Sequence, residues 1–361
     1  MNRLFDRMDR LSGPLLGALG LANALFALSF LAVLFVAMQS LPAHAGETCR
    51  GENVLDQMKR DDPASYRKLM DEAAATINGD TLLFRIDKPG LASSWLFGTM
   101  HLTDERVIDL PVKAKQAFEG ADTVAIESTE ILDPAKAQMA LFSKPDLTMF
   151  TDGKALSDYL TAEQRDILKD GLAKRGMQLA LVDRMKPWLL TAMVALPKCE
   201  MDRKQAGASF LDLKLAQDAQ REGKDLKGLE TIVEQFDAMA SLPMEFHVRG
   251  LIDTIALGDK IDDVVETMIE LYVQGRTGAV WPMLRAVTPE MESDEDLAAG
   301  YAAFEEKMVH VRNRTMLQRA TPLLDKGGGV FIAVGALHLP GDKGLAKLLA
   351  DAGYTVTPVY E

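Results

Sequence analysis

No lysine- or arginine-rich block interrupts this chain, and its formal net charge is −13. That balance argues against nucleic acid and anionic membrane surfaces as partners. There is no H-E-x-x-H, so a helical zinc-protease site loses support, and no G-x-S-x-G, so a serine nucleophile elbow does as well. No low-complexity tract and no repeat of 20–50 residues is present. Cysteine is nearly absent: Cys49 and Cys199 are the only two. Cys49 is not preceded by the Leu-x-Ala/Gly of a lipoprotein, which argues against lipid attachment. Histidine is scarce too, with five in 361 residues.

What is present is a globular composition, 48% hydrophobic and 26% charged, ample for one large or two medium domains. The first 45 residues differ from the rest. Arg3, Arg7 and Arg10 give a basic start, and Pro14 to Val36 is almost wholly apolar. Ala43-His44-Ala45 follows, a small-x-small site of the kind signal peptidase cuts. Residues 1–45 therefore read as a signal peptide and 46–361 as the mature chain, periplasmic or secreted. The alternative is an uncut inner-membrane anchor over residues 14–37, since about 20 apolar residues span a bilayer; that segment is the only expected membrane contact. In an oxidising compartment a lone cysteine pair reads as a disulfide, Cys49 to Cys199, with two free buried thiols as the alternative.

Four histidines lie beyond that segment: His101, His247, His310 and His338. Two of them close the same pattern, an apolar run, Gly, two residues, then His: Trp95-Leu96-Phe97-Gly98-Thr99-Met100-His101 and Ile332-Ala333-Val334-Gly335-Ala336-Leu337-His338. At a glycine frequency of about 7%, two of four by chance is roughly a 3% event, so the pair is a signal. The runs read as buried strands, and Gly lets the backbone leave by a path that a side chain would block. Each His then sits just past the carboxyl end of a strand, the edge where open α/β sheets bind ligands.

Along the chain, 52–77 reads as helix stopped at Asn78-Gly79. Residues 81–86 and 94–97 read as a hairpin around Asp87-Lys88-Pro89-Gly90. Leu102 to Arg106 reads as a loop, and Pro111 opens a helix to Glu119. Thr123 to Glu127 is a strand ending on a carboxylate. Residues 134–325 form a mostly helical insertion, interrupted by a short strand at 225–230 that also ends on a carboxylate. Gly327-Gly328-Gly329 releases the chain into the second G-x-x-H strand. A helix at 343–352 and a final strand at 354–360 follow. The fold class is thus α/β, with a central mixed sheet built from N- and C-terminal strands and a large helical insertion between them.

Four strand ends carry ionisable groups: His101, Glu127, Glu230 and His338. Imidazole and carboxylate together are the ligand set of Zn, Mn, Co or Fe. Two His and one carboxylate suffice for an open catalytic ion, and a further carboxylate could take a proton from water that the ion activates. Each Glu taken alone could equally be a solvated residue at the start of a loop. Arg312-Asn313-Arg314 lies on a helix leading into the last strands, where positive and amide groups could hold a carbonyl or an oxyanion, or simply form a charged helix face.

Gly98-Thr99-Met100-His101, Ala121-Asp122-Thr123-Val124-Ala125-Ile126-Glu127, Lys186-Pro187-Trp188, Gly228-Leu229-Glu230-Thr231, Arg312-Asn313 and Val334-Gly335-Ala336-Leu337-His338-Leu339-Pro340-Gly341 closely resemble the TraB/GumN family, to which the Tiki metalloproteases belong. The resemblance runs from about 80 to 360. It implies a fold related to erythromycin esterases and haem-uptake ChaN proteins, two G-x-x-H His and a Glu at the site, and metal-dependent peptide hydrolysis in the Tiki branch. The chain departs from the family at Ser128-Thr129, where an acidic residue often follows the Glu. It departs again at Phe210-Leu211 before Asp212, where a Gly is usual.

The expected function is an exported metal-dependent hydrolase acting on a peptide or protein. His101, His338 and Glu127 are the expected ligands of a divalent ion, with Glu127 as ligand or general base. Glu230 is a secondary carboxylate, and Arg312 and Asn313 are the expected oxyanion stabilisers. The rivals are a metal-free esterase-type hydrolase and a non-catalytic metal- or haem-binding envelope protein.

Overall fold

In the computed structural model, which describes Cys49, residues 51–288 and residues 294–360, six strands form one mixed sheet. They are β1 (Leu83–Asp87), β2 (Ser94–Thr99), β3 (Thr123–Ile126), β4 (Asp225–Gly228), β5 (Val330–Gly335) and β6 (Thr355–Val359), in the order β4-β3-β5-β2-β1-β6. The signal-peptide and anchor expectations for the first 45 residues lie outside the described residues.

Gly90, with φ of +81°, takes the turn conformation that favours glycine, and β1 and β2 pair antiparallel as the expected hairpin. β1 also pairs antiparallel with β6. The other pairs, β2 with β5, β5 with β3 and β3 with β4, are all parallel. Parallel strands in one sheet present their carboxyl ends at one edge, so β2, β5, β3 and β4 deliver their last residues to the same place.

The central strands are buried on both faces, as near-continuous apolar runs require. Alternate residues serve opposite sides. On one side Phe97, Val124, Ile126, Phe331 and Ala333 pack against Ala114, Ala117 and Phe118 of the Val112–Glu119 helix and Leu211, Leu215 and Ala219 of the Leu211–Arg221 helix. On the other side Leu96, Ala125, Ile332 and Val334 pack against Met316, Ala320 and Leu324 of the Val311–Leu324 helix. Phe331 is wholly buried, a burial worth roughly 1.5–3 kcal/mol.

Several expected boundaries move. The helix expected at 52–77 is two, Val54–Asp61 and Pro63–Ala75. Pro63 has no amide hydrogen to continue the first helix, and the Asp62 carboxylate accepts the N–H of Ser65 to start the second. Part of the expected loop at 102–106 is a helical turn, Glu105–Ile108, capped by Asp104. The strand expected at 225–230 ends at Gly228, so Glu230 lies two residues past it. The insertion is helical, as expected. In its last part the Glu295–Glu305 helix widens into a π-helical stretch, Glu306–His310, immediately before Arg312 and Asn313.

Cys49 and Cys199 are bonded, closing a separation of 150 residues. Next to Cys199, the buried Glu200 carboxylate accepts from the backbone N–H and the hydroxyl of Thr103, and Lys204 Nζ donates to the His101 carbonyl. The disulfide-bearing segment therefore holds the loop that follows β2.

Candidate active site

The four strand-end groups do arrive at one edge, and the two glycines explain how the backbone fits there. Neither adopts a left-handed φ. Space is what requires them. A Cβ on Gly98 would lie 3.0 Å from Ala336 Cα, and one on Gly335 would lie 3.2 Å from Glu127 Oε1. The two G-x-x-H segments pack on each other, with Thr99 opposite Gly335 in the β2–β5 register.

His338 is buried in the 3₁₀ turn after β5. Its Nδ1–H donates to Asn313 Oδ1 at 2.7 Å, while Asn313 Nδ2 donates to the carbonyls of His338 and Lys343 at 3.1 and 2.8 Å. Those two carbonyls settle which way the amide points, and the amide in turn settles the imidazole tautomer. Nε2 is left unprotonated, 3.7 Å from Glu127 Oε1. Burial pushes the His338 pKa down to about 4, more than the nearby Glu127 charge raises it.

His101 is tied differently. Its Nδ1 lies 2.8 Å from Asp212 Oδ2, and Thr99 Oγ1 donates to Asp212 Oδ1 at 2.7 Å. The Asp212 charge holds the His101 pKa up to about 9 against the opposing effect of burial. The His101 side chain is nonetheless 56% exposed, and solvent there weakens the pairing. Its ring meets Phe210 edge-on at 5.6 Å.

Glu127 stands between them, just past β3. Oε1 accepts the N–H of Gly335 at 2.7 Å, and Oε2 accepts from Arg312 at 2.6 Å and Gln235 at 2.9 Å. Burial alone would raise its pKa. The charges of His338, Arg312 and His101 and the Gly335 N–H outweigh that and bring it to about 2, so it is ionised at neutral pH. Glu230 is bridged to Glu127 through Arg312, whose Nε and second terminal nitrogen donate to Glu230 Oε2 at 3.0 and 2.8 Å. Burial raises the Glu230 pKa despite that partner. The N–H of Glu230 also donates to the Glu127 carbonyl at 2.7 Å, lashing the two carboxylate-bearing turns together.

Of the expected site residues, His101, Glu127, His338 and Arg312 line one cavity of about 360 Å³. A smaller one of about 190 Å³ adjoins His101 and Glu127 on the side of Asp212, Gln235 and Phe210. Asn313 occupies a different place from the expected oxyanion donor: both of its amide hydrogens go to backbone carbonyls, and it holds His338. The Arg312 guanidinium donates to Glu127, Glu230 and the Met308 carbonyl, so it bridges two buried carboxylates. Neither Asp212 nor Gln235 is among the residues expected at the site. Asp212 had a signal: it lies on the buried stripe of its helix with Leu211, Leu215, Ala216 and Ala219, an acid at core spacing.

Among the described residues no three His, Cys, Asp or Glu side chains stand ready-made around a metal ion. The donor chemistry still fits one. Each His has its Nδ1 tied to an outer partner, Asp212 or Asn313, which is how ligating imidazoles are oriented, and an ionised carboxylate adjoins them.

An α/β sheet thus brings two strand-end histidines and a buried, ionised carboxylate to one edge. The model of the TraB/PrgY/gumN family matches residues 82–358, and the chain belongs to that family. It is similar to metalloprotease TIKI1 of Danio rerio, 27% identical over 304 residues, covering 73% of this chain and 60% of that protein. With metalloprotease TIKI2 of Danio rerio it is 24% identical, covering 84% of this chain and 65% of the relative. With human metalloprotease TIKI1 it is 25% identical, covering 73% and 59%. The chain thus spans about three fifths of the length of the curated relatives it matches. No solved structure matches it. No helix of the described residues is long and apolar enough to cross a membrane.

Proposed function

We propose that the chain is an exported, metal-dependent hydrolase of peptide bonds. The observation that carries this reading is the pair of G-x-x-H histidines on adjacent parallel strands, each with Nδ1 anchored and Nε2 left over, beside the ionised Glu127. Nε2 of His101, Nε2 of His338 and Glu127 Oε1 would hold a divalent ion of the Zn, Mn, Co or Fe kind. Such an ion supplies Lewis acidity, polarising a carbonyl and lowering the pKa of water. The chain's own groups do the rest. Asp212 and Asn313 fix the two rings. Arg312 bridges Glu127 and Glu230 and offsets part of the cost of burying carboxylates. Glu127 is available to accept a proton, not to donate one. In amide hydrolysis the water oxygen bonds to the carbonyl carbon, the C–N bond breaks, and the leaving nitrogen takes a proton. The relatives' printed names, metalloproteases, support a peptide or protein substrate.

A second reading, a metal-free hydrolase, draws on one observation: both Glu127 oxygens already accept from N–H donors, and His101 with Asp212 and Thr99 makes a proton-holding pair. Elemental analysis of protein purified without chelator, with peptide turnover measured in parallel, separates the two. A bound divalent ion, lost together with turnover in His101→Ala plus His338→Ala, is expected. Full peptide hydrolysis by protein stripped of metal would overturn the first reading.

A further inference from the structure

The cavity of about 360 Å³ is unlike the rest of the site. Its charged and ionisable lining, His101, Glu127, Arg312 and His338, belongs to the cluster already described. The rest of the wall is largely apolar, Leu196, Met268, Tyr272, Val280, Trp281 and Phe304 among it, with Trp281 and Phe304 in edge-to-face contact at 6.1 Å, and Thr277 adds a buried hydroxyl that has no hydrogen-bond partner. The Tyr272 hydroxyl is already used on the Gly98 carbonyl at 2.9 Å, and the Thr99 hydroxyl on Asp212. Arg312 is committed to the two glutamates. Away from the His101, Glu127 and His338 end, a charged substrate group would find at most the Thr277 hydroxyl, whereas apolar carbon would find matching walls. The cavity opens directly on His101, Glu127 and His338, so whatever fills it lies beside the groups that would act.

We propose that this cavity is a specificity pocket. It takes the large apolar side chain, of leucine, methionine or phenylalanine kind, of the peptide residue whose carbonyl is attacked. The proposal rests on the peptide-hydrolase reading for its chemistry but not for its binding. Burying such a side chain is worth at least about tenfold over glycine in kcat/KM. An aspartate there fares worse, because one hydroxyl does not replace the water that its charge would lose.

The test uses the purified full chain and a fluorogenic peptide series differing at one residue among Leu, Met, Phe, Gly, Asp and Lys. Two variants accompany it. Leu196→Trp fills the pocket and should erase the preference for Leu, Met and Phe. Trp281→Ala widens it and should raise kcat/KM for naphthylalanine relative to leucine, a gain that a misfolded variant cannot show. Binding of N-acetyl-leucinamide against N-acetyl-glycinamide is followed by ligand-observed NMR, which needs no turnover. Peptide cleavage whose preference is unmoved by either substitution would overturn the pocket and leave the hydrolase reading standing. Leucinamide binding that disappears in Leu196→Trp, without any peptide cleavage, would support the pocket and sink the hydrolase reading. Turnover of medium-chain acyl esters in place of peptides would assign the cavity to an acyl chain and overturn the proposal, as would the absence of both binding and preference.

Discussion

His101 and His338 close the same four-residue pattern on neighbouring parallel strands, yet the fold treats them in opposite ways. His101 is half-exposed and bonded to a carboxylate, and its pKa is held up to about 9. His338 is buried and bonded to a neutral amide, and its pKa is pushed down to about 4. The pattern repeats only in the backbone. What differs is the helix that meets each ring: Leu211–Arg221 brings Asp212 to one, and Val311–Leu324 brings Asn313 to the other. A site with one accessible, carboxylate-backed imidazole and one dry, amide-backed imidazole has an outer and an inner side. Glu127 stands between them.

The sharpest way to break this asymmetry is at Arg312, which links the two carboxylates of the inner side. Arg312→Ala leaves Glu127 and Glu230 facing each other without their shared cation. Unfolding free energy, measured in urea, should fall by about 3–5 kcal/mol. A loss under about 1 kcal/mol would show that the cluster does not hold the inner side together.

The two anchors should differ next. Asn313→Leu strands the His338 Nδ1–H and two backbone carbonyls in a buried place and should cost about 1–3 kcal/mol. Asp212→Asn, on the exposed ring, should cost less stability. In metal-free protein its mark should be a downward movement of the His101 titration, read by NMR. Equal stability losses would erase the inner–outer distinction.

A third histidine sets the baseline for burial without a site. His247 is 6% exposed and donates to the Met239 carbonyl, and burial lowers its pKa to about 4. Its folded pKa lies below the unfolded value near 6.5. The stability it contributes is therefore complete above 6.5 and is lost as pH falls from there toward 4. The loss should be about 3 kcal/mol, and His247→Gln should flatten that part of the profile. An unchanged acid limb in the variant would show that burial does not hold His247 neutral.

The smallest expected effects are at the glycines. Gly98→Ala meets backbone at Ala336 and should cost about 1–2 kcal/mol in thermal unfolding. Gly335→Ala meets the Glu127 carboxylate, a side chain able to shift, so it should cost less stability while lowering turnover. The reverse order would mean that the segments do not pack through Gly98.

The strands, their apolar runs and the turn formers between them were legible along the chain, because periodicity and glycine or proline punctuation are local properties. So were the two histidines and Glu127 as strand-end groups, and the cysteine pair. The break at Pro63 is a local property too, since proline lacks the N–H that a continuous helix needs. Asp212 and Gln235 sit far from their partners in sequence, and only the packing of two helices against one sheet edge brings them there. Asn313 could be picked out with Arg312 on the helix leading into the last strands, but its duty could not. Whether its amide faces a pocket or backbone carbonyls depends on where residues 338 and 343 come to lie. The residue types alone therefore determined which groups could do chemistry. The tertiary structure decided which imidazole is wet and carboxylate-backed and which is dry and amide-backed, because solvation and charge pairing depend on neighbours that the chain brings together only when folded.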